Sequence, residues 1–289
     1  VDAACYAAKR GGRNRVSTVR ACGSVREGHA GVDELRARIL GALDEGSLSL
    51  DAQRLQAVLP GGAPSCELLL RLLAPSSDQR LRASQFLGTA SQLRMLPRFD
   101  RWVLDQAWAL LAAYPALRLQ LNLGEQSVRS PSYTEAVVER LESDPARATR
   151  LLFEIGEEVL VGGYPHSFEF ARKIHQRGAR IGVDGFRGGM AAIEALRRLP
   201  LAQLKLDPRM VRAAAADLID RAMVVAAVRL AEALGAESVA CGVESQADHD
   251  WLIDTGIAWL QGHRLHRPEP VEALFPLVAP LSDGSAAPR

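Results

Sequence analysis

The feature that most restricts the fold of this chain is a couplet recurring along most of its length: a short apolar run closing on a polar residue, a turn, then an amphipathic pattern of helical period. Its clearest copy runs from Arg180 to Gly189, reading Arg-Ile-Gly-Val-Asp-Gly-Phe-Arg-Gly-Gly. An apolar run that ends in an acid and gives way to glycines places the Asp184 carboxylate at the C-terminal end of a strand. Such strand ends are where α/β proteins keep their chemistry. Taken alone, Asp184 could equally serve as the N-cap of the helix expected over Met190 to Arg198.

The same alternation predicts strands at Arg118 to Leu123, Arg150 to Ile155, Arg180 to Asp184, Gln203 to Leu206, Ser238 to Cys241 and Ile257 to Leu260. Between them it predicts helices at Arg98 to Ala113, Ser132 to Ser143, Ser167 to Arg177, Met190 to Arg198, Ala216 to Leu234 and Ala247 to Thr255. Ahead of this series lie two further strands, Leu48 to Val58 and Cys66 to Leu72, joined by the turn Leu-Pro-Gly-Gly-Ala-Pro, and then a helical pattern at Leu81 to Leu87. Eight strands, each followed by a helix after the opening pair, describe an α/β fold of the TIM-like (β/α)8 barrel type. An open doubly wound sheet is the alternative, but no glycine-rich dinucleotide fingerprint follows a first strand.

Length and composition suit this reading. The 289 residues can supply one large core, 48% of them are hydrophobic, and the formal net charge of +1 provides no excess of positive charge for coating nucleic acid. Nucleic acid is therefore not expected as a partner, and, since no apolar run reaches membrane length, no membrane is expected for this stretch of chain. Four cysteines, Cys5, Cys22, Cys66 and Cys241, lack metal-ligand spacing and no secretory signal precedes them, so reduced thiols in a cytoplasm are expected.

Polar residues closing apolar strands are costly to bury unless a ligand or partner satisfies them. The chain has a set: Glu67, Asn122, Glu154, Asp184, Lys205 and Asp207. Oxygen donors converging from four strands suit a hard divalent cation such as Mg²⁺ or Mn²⁺. The rival reading is that the acids hold the barrel rim together through salt bridges with Lys205 and Arg71.

From about Gly46 to Pro270 the chain resembles an EAL domain, the family named for a Glu-Ala-Leu motif that hydrolyses cyclic di-GMP. That motif falls on Glu67, Leu68, Leu69, Leu70 and Arg71, and the family's strand glutamine falls on Gln53. Asn122, Glu154, Glu157, Lys205, Asp207, Glu244, Gln261 with Gly262, and Arg267-Pro268-x-Pro270 match in type and order. The opening, with a helix of Ala-x-Tyr-x-Ala-Lys type and then Gly-Arg-Asn-Arg-Val, resembles the end of a GGDEF domain. The expected organisation is a GGDEF-like tail over 1–19, a linker and helix over 20–45, a degenerate EAL domain over 46–280 and a disordered tail over 281–289.

The resemblance implies a barrel with one antiparallel strand that binds cyclic di-GMP at its mouth. Gln53, Glu67, Leu68, Leu69, Arg71, Asn122, Asp184, Asp207, Glu244, Gln261 and Pro268 would contact the nucleotide, with Arg71 pairing to a phosphate. Glu67, Asn122, Glu154 and Asp184 would form a residual site for one metal ion, with none required. Two departures strike at catalysis: the family's Asp-Asp-Phe-Gly reads Asp184-Gly185-Phe186-Arg187, and its Ala-Glu-Gly-Val-Glu reads Ala240-Cys241-Gly242-Val243-Glu244. The Tyr and Ser of the following loop are also absent from Gly188 to Ile193, which puts the family's usual dimer in doubt. The expectation is a catalytically inactive cyclic di-GMP receptor that relays the signal to a protein partner. FimX-like regulators of type IV pili, which engage a PilZ-type adaptor, are the nearest analogy. A weak metal-dependent phosphodiesterase and a nucleotide-independent scaffold are the alternatives.

Overall fold

The computed structural model describes residues 25–74, 77–162 and 164–275. The expected GGDEF-like tail at 1–19, the start of the linker and the tail at 281–289 lie outside the described residues. A helix over Val25–Gly41 leads into ten strands. They are β1 (Leu48–Ala57), β2 (Ser65–Ala74), β3 (Ser77–Arg82), β4 (Arg118–Leu123), β5 (Leu151–Gly156), β6 (Arg180–Phe186), β7 (Leu201–Leu206), β8 (Glu237–Cys241), β9 (Trp259–Gln261) and β10 (Glu269–Pro270).

The sheet runs β10-β1-β9-β8-β7-β6-β5-β4-β2-β3, and an added β1–β2 pairing closes it into a barrel of eight strands, the ten less β3 and β10. Strands β2 and β4 to β9 are mutually parallel, while β1 runs antiparallel to both of its barrel neighbours, with Gln53 opposite Glu67 and Gln56 opposite Leu260. The single reversed strand implied by the resemblance is therefore β1. It pairs with β2 over eight residues because a short turn returns the chain directly, whereas parallel neighbours need a helical crossover.

The reading differs from the structure most at the start of the first expected helix. Leu81 lies on β3, opposite Leu72, and the helix begins at Ala83. The stretch Gln79-Arg80-Leu81-Arg82 holds one apolar residue, too few to separate a period of 2 from one of 3.6. The edge of β2 decides, because its unpaired backbone groups accept a third strand there.

The core has two parts. The larger fills the space between the sheet and the outer helices, with Phe99, Leu111, Phe153, Phe170 and Val224 fully buried. The smaller is Leu55, Val239 and Trp259. Each lies one pleat step from Gln53, Cys241 or Gln261, so together they form an apolar floor beneath the mouth.

At the top of β9 the backbone crosses that of Val243. A Cβ built on Gly262 would stand 2.2 Å from the Val243 oxygen and 2.3 Å from its nitrogen, and Val243 N donates to Gln261 O at 3.1 Å. No side-chain adjustment can relieve backbone atoms. Gly262→Ala is expected to cost about 2 to 3 kcal/mol, measured as a lower urea midpoint with unchanged slope.

Candidate functional site

Lys205 is the centre of the mouth. It sits in the apolar strand β7 with 2% of its surface exposed, an arrangement that is stable only if its ammonium is paired. Its Nζ lies 2.9 Å from Glu67 Oε2 and 2.6 Å from Glu154 Oε1. Asn122 Nδ2 donates to Glu67 Oε1 at 2.5 Å and Gln261 Nε2 donates to Glu67 Oε2 at 2.7 Å. Gln261 also donates to Gln53 Oε1 at 3.0 Å, and Gln53 Nε2 donates to the His266 carbonyl at 2.9 Å, tying β1 to the loop after β9.

One ammonium faces two buried carboxylates, and their surroundings drive them apart. Burial opposes ionisation of Glu67, but Lys205 and the hydrogen bonds from Gln261, Lys205 and Asn122 hold its pKa below the usual range. Glu154 is 1% exposed, and the polar group within reach of its carboxylate is the Lys205 ammonium, at 2.6 Å. Burial pushes its pKa up to about 8 against the pull of Lys205. Burial likewise raises Asp184. For Lys205 burial acts downward, but Glu154 and Glu67 together keep it well above its ordinary value. Burial also raises the Cys241 thiol well above its ordinary value, so it is held protonated at neutral pH.

Two cavities open here. One, of about 290 Å³, is lined by Gln53, Glu67, Asp184, Lys205, Cys241, Glu244 and Gln261. The other, of about 350 Å³ and mainly apolar, takes in Leu68, Leu69, Asn122, Glu154 and Asp184. Asp184 borders both. Most of the site residues expected from sequence thus meet at one place.

Three do not line either cavity. Arg71 is buried and donates through Nε to Asp51 Oδ2 at 2.7 Å and through Nη1 to the Leu70 carbonyl. Asp207 accepts from Arg209 N at 2.7 Å, capping the helix Pro208–Ala213, and pairs with the Arg209 guanidinium at 2.7 Å. Pro268 is half-buried in the loop after β9. The rival reading of rim salt bridges therefore describes part of what is present, with Asp51 as the unforeseen partner of Arg71.

Among the lining residues that had not been singled out are Asp100 and Arg212. Asp100 borders the apolar cavity, accepts from Gly124 N at 2.9 Å, and is pushed up to about 6 by burial. Its signal was present, since it interrupts the buried stripe Leu96, Phe99, Val103 and Leu104 of its helix. Arg212 borders the polar cavity and lies 3.7 Å from Glu244. Nothing in its local pattern distinguishes it.

The donors Glu67, Asn122, Glu154 and Asp184 are of the oxygen class a hard cation takes. Their arrangement does not fit one as it stands. Among the described residues no three His, Cys, Asp or Glu side chains gather closely enough to hold a metal ion, and the Lys205 ammonium already supplies positive charge between Glu67 and Glu154. Gly185 brings no donor and adopts a left-handed φ of 72° with open space where a side chain would begin.

A closed βα barrel with one reversed strand and a mouth of buried acids around a lysine defines the class. The EAL domain model matches residues 36–268, and the chain belongs to that family. It is 27% identical over 278 residues to the cyclic di-GMP phosphodiesterase PdeB of Shewanella oneidensis, covering 93% of this chain and 32% of that protein. To the bifunctional diguanylate cyclase/cyclic di-GMP phosphodiesterase MucR of Pseudomonas aeruginosa it is 29% identical over 288 residues, covering 96% of this chain and 41% of that protein. The chain thus spans about a third to two fifths of the length of these two relatives. The MucR phosphodiesterase in its c-di-GMP complex superposes with a TM-score of 0.76 at 28% identity, over 83% of this chain and 99% of that one. The FimX EAL domain from Pseudomonas aeruginosa bound to c-di-GMP shares the fold, with a TM-score of 0.76 at 22% identity over 82% of this chain and 96% of that one. Among the described residues no helix is long and apolar enough to cross a membrane.

Two outcomes follow from the Lys205 cluster. Lys205→Met leaves Glu67 buried without its cation and is expected to cost about 3 to 5 kcal/mol at neutral pH, with part of the loss recovered in acid as Glu67 takes a proton. A carboxyl whose folded pKa lies above its unfolded value keeps a proton that the unfolded chain has released. The stabilisation from Glu154 is therefore full below its unfolded value of 4.5 and is lost as pH rises through about 8. Thermal unfolding should show stability falling across that window by up to about 1.4 kcal/mol per pH unit, and Glu154→Gln should flatten the slope.

Proposed function

We propose that this EAL domain is a receptor for cyclic di-GMP that binds the nucleotide without hydrolysing it. The observation that carries the reading is the pair of cavities meeting at Asp184: the binding set Gln53, Glu67, Asn122, Glu244 and Gln261 is present around them, while glycine and cysteine occupy two positions where the family resemblance calls for carboxylates. A two-part mouth, one side polar and one apolar, suits a ligand with two purines joined by phosphodiesters. Related structures solved with c-di-GMP, those of MucR and FimX, support the ligand.

Inactivity rests on the chemistry of the two replacements. Hydrolysis by a metal pair needs two ions about 3.5 to 4 Å apart, held by carboxylates, to activate water and stabilise the displacement. Hydrogen at the α-carbon of Gly185 ligates nothing. A protonated thiol at Cys241 is a poor donor for Mg²⁺ and no general base. Loss of acid–base assistance alone costs about 10² to 10⁴ in rate. No metal is required for binding in this reading, and Lys205 supplies a fixed positive charge beside the nucleotide.

Occupancy would act through a protein partner, because a ligand shifts an equilibrium only by its different affinity for two states. A PilZ-type adaptor is the first candidate to test. The second reading, a weak phosphodiesterase, is favoured by the kinship to PdeB and MucR and by the retained oxygen donors at the mouth.

Calorimetric titration with cyclic di-GMP, in EDTA and again in Mg²⁺, with chromatography of the recovered nucleotide, separates these readings. Binding of about micromolar affinity or tighter with intact nucleotide in both buffers is expected. No heat in either would overturn the receptor, and metal-dependent linear dinucleotide would establish the phosphodiesterase. Gly185→Asp combined with Cys241→Glu should restore metal-dependent cleavage. The left-handed backbone at Gly185 is tolerated by Asp better than by most residues, so the double variant is expected to fold.

A further inference from the structure

The strand face that carries Gln53 and Glu67 continues beyond them. Successive inward positions are Asp51 and Ser49 on β1, Leu69 and Arg71 on β2, and Arg80 and Arg82 on β3, where Arg82 stands opposite Arg71. Leu69 borders the apolar cavity, so Arg71, the next position on the same face, lies at the edge of the mouth. Three guanidiniums and one carboxylate thus share this face. The carboxylate is the hub: Asp51 Oδ2 accepts from Arg71 Nε at 2.7 Å and Asp51 Oδ1 accepts from Arg80 Nη1 at 2.5 Å. Arg71 and Asp51 keep only 9% and 11% of their side-chain surface exposed, so this is no solvent-screened surface pair.

We propose that Asp51 is a built-in competitor for the nucleotide's phosphate: it holds Arg71, with Arg80, in a buried carboxylate bridge, and so lowers the affinity of the mouth for cyclic di-GMP. The inference rests on the receptor reading of the same mouth. Its physical content is that a carboxylate and a phosphodiester ask for the same guanidinium fork. Arg71 already spends Nε on Asp51 and Nη1 on the Leu70 carbonyl, so a phosphate gains its full fork only by displacing Asp51. A carboxylate on the neighbouring strand acts at a high effective concentration that no free ligand matches. The affinity of the receptor is then set by a residue that need not touch the nucleotide.

Calorimetric titration of cyclic di-GMP into the wild type, Asp51→Asn, Arg71→Met and the double variant tests this. Asp51→Asn is expected to bind about tenfold more tightly and with a steeper loss of affinity in salt, as the freed guanidinium meets phosphate. Arg71→Met should weaken binding far less in the wild type than in Asp51→Asn, where it should abolish the about tenfold gain. Unchanged or weaker binding by Asp51→Asn would overturn the proposal. So would a tenfold loss in Arg71→Met alone, which would mean that Arg71 already serves the phosphate with Asp51 in place; this arm decides if Asp51→Asn does not fold. Absence of binding by the wild type refutes the receptor reading, while binding gained by Asp51→Asn in that case would still uphold the competitor. Absence in both proteins refutes both.

Discussion

A lysine ammonium buried between two glutamates holds the mouth of this barrel in its present form. Lys205 lies on β7, Glu67 on β2 and Glu154 on β5, so the ion pairs span the barrel from side to side. The cost of burying any one of these charges alone is several kcal/mol, and none could stay ionised without another. Because there are two acids and one base, the cluster also sorts its protons. Glu67, with hydrogen bonds from Asn122 and Gln261, keeps its charge, and Glu154, more deeply buried and without those amide donors, tends to hold a proton. The same geometry aligns Gln261 with Gln53 and so fixes where β1 closes the barrel.

That arrangement shapes the chemistry open to the mouth. A site for metal-assisted hydrolysis needs acids free to gather about cations. Here the acids are organised around an amine, and the two positions flanking it offer a glycine hydrogen and a protonated thiol. Binding asks less, since fixed hydrogen-bonding groups and an apolar recess suffice. The second charge cluster, of Asp51 with Arg71 and Arg80, follows the same economy on a smaller scale, with one carboxylate bridging two guanidiniums at the rim.

How far the chain could be read in advance varied with the range of the interactions involved. Strand β4 was legible to the residue, since Leu119, Leu121 and Leu123 alternate with polar residues between the turn at Pro115 and Gly124. The strand β3 was not, because Leu81 alone carries no period and only the neighbouring edge of β2 makes it a strand. Asp100 was visible as an acid on an apolar helical stripe, yet its place beside the mouth depends on the packing of that helix on β4 and the Gly124 turn. Arg71 was placed correctly on β2, but its partner was not foreseen, since Asp51 sits in the antiparallel strand twenty residues earlier in the chain.

By itself, the sequence determined the alternation of strands and helices, the barrel that alternation implies, the polar residues closing each strand, and the absence of carboxylates at 185 and 241. These are local properties: a period of 2 or 3.6, a turn signal, the identity of one side chain. Only the tertiary structure decided which charges meet. The Lys205–Glu67 contact joins residues 138 apart in the chain and the Gln261–Glu67 contact residues 194 apart. Such pairs are set by strand register and by barrel closure through β1, which no local pattern encodes, and they decide whether a carboxylate at the mouth is free to hold a ligand or already holds its neighbour.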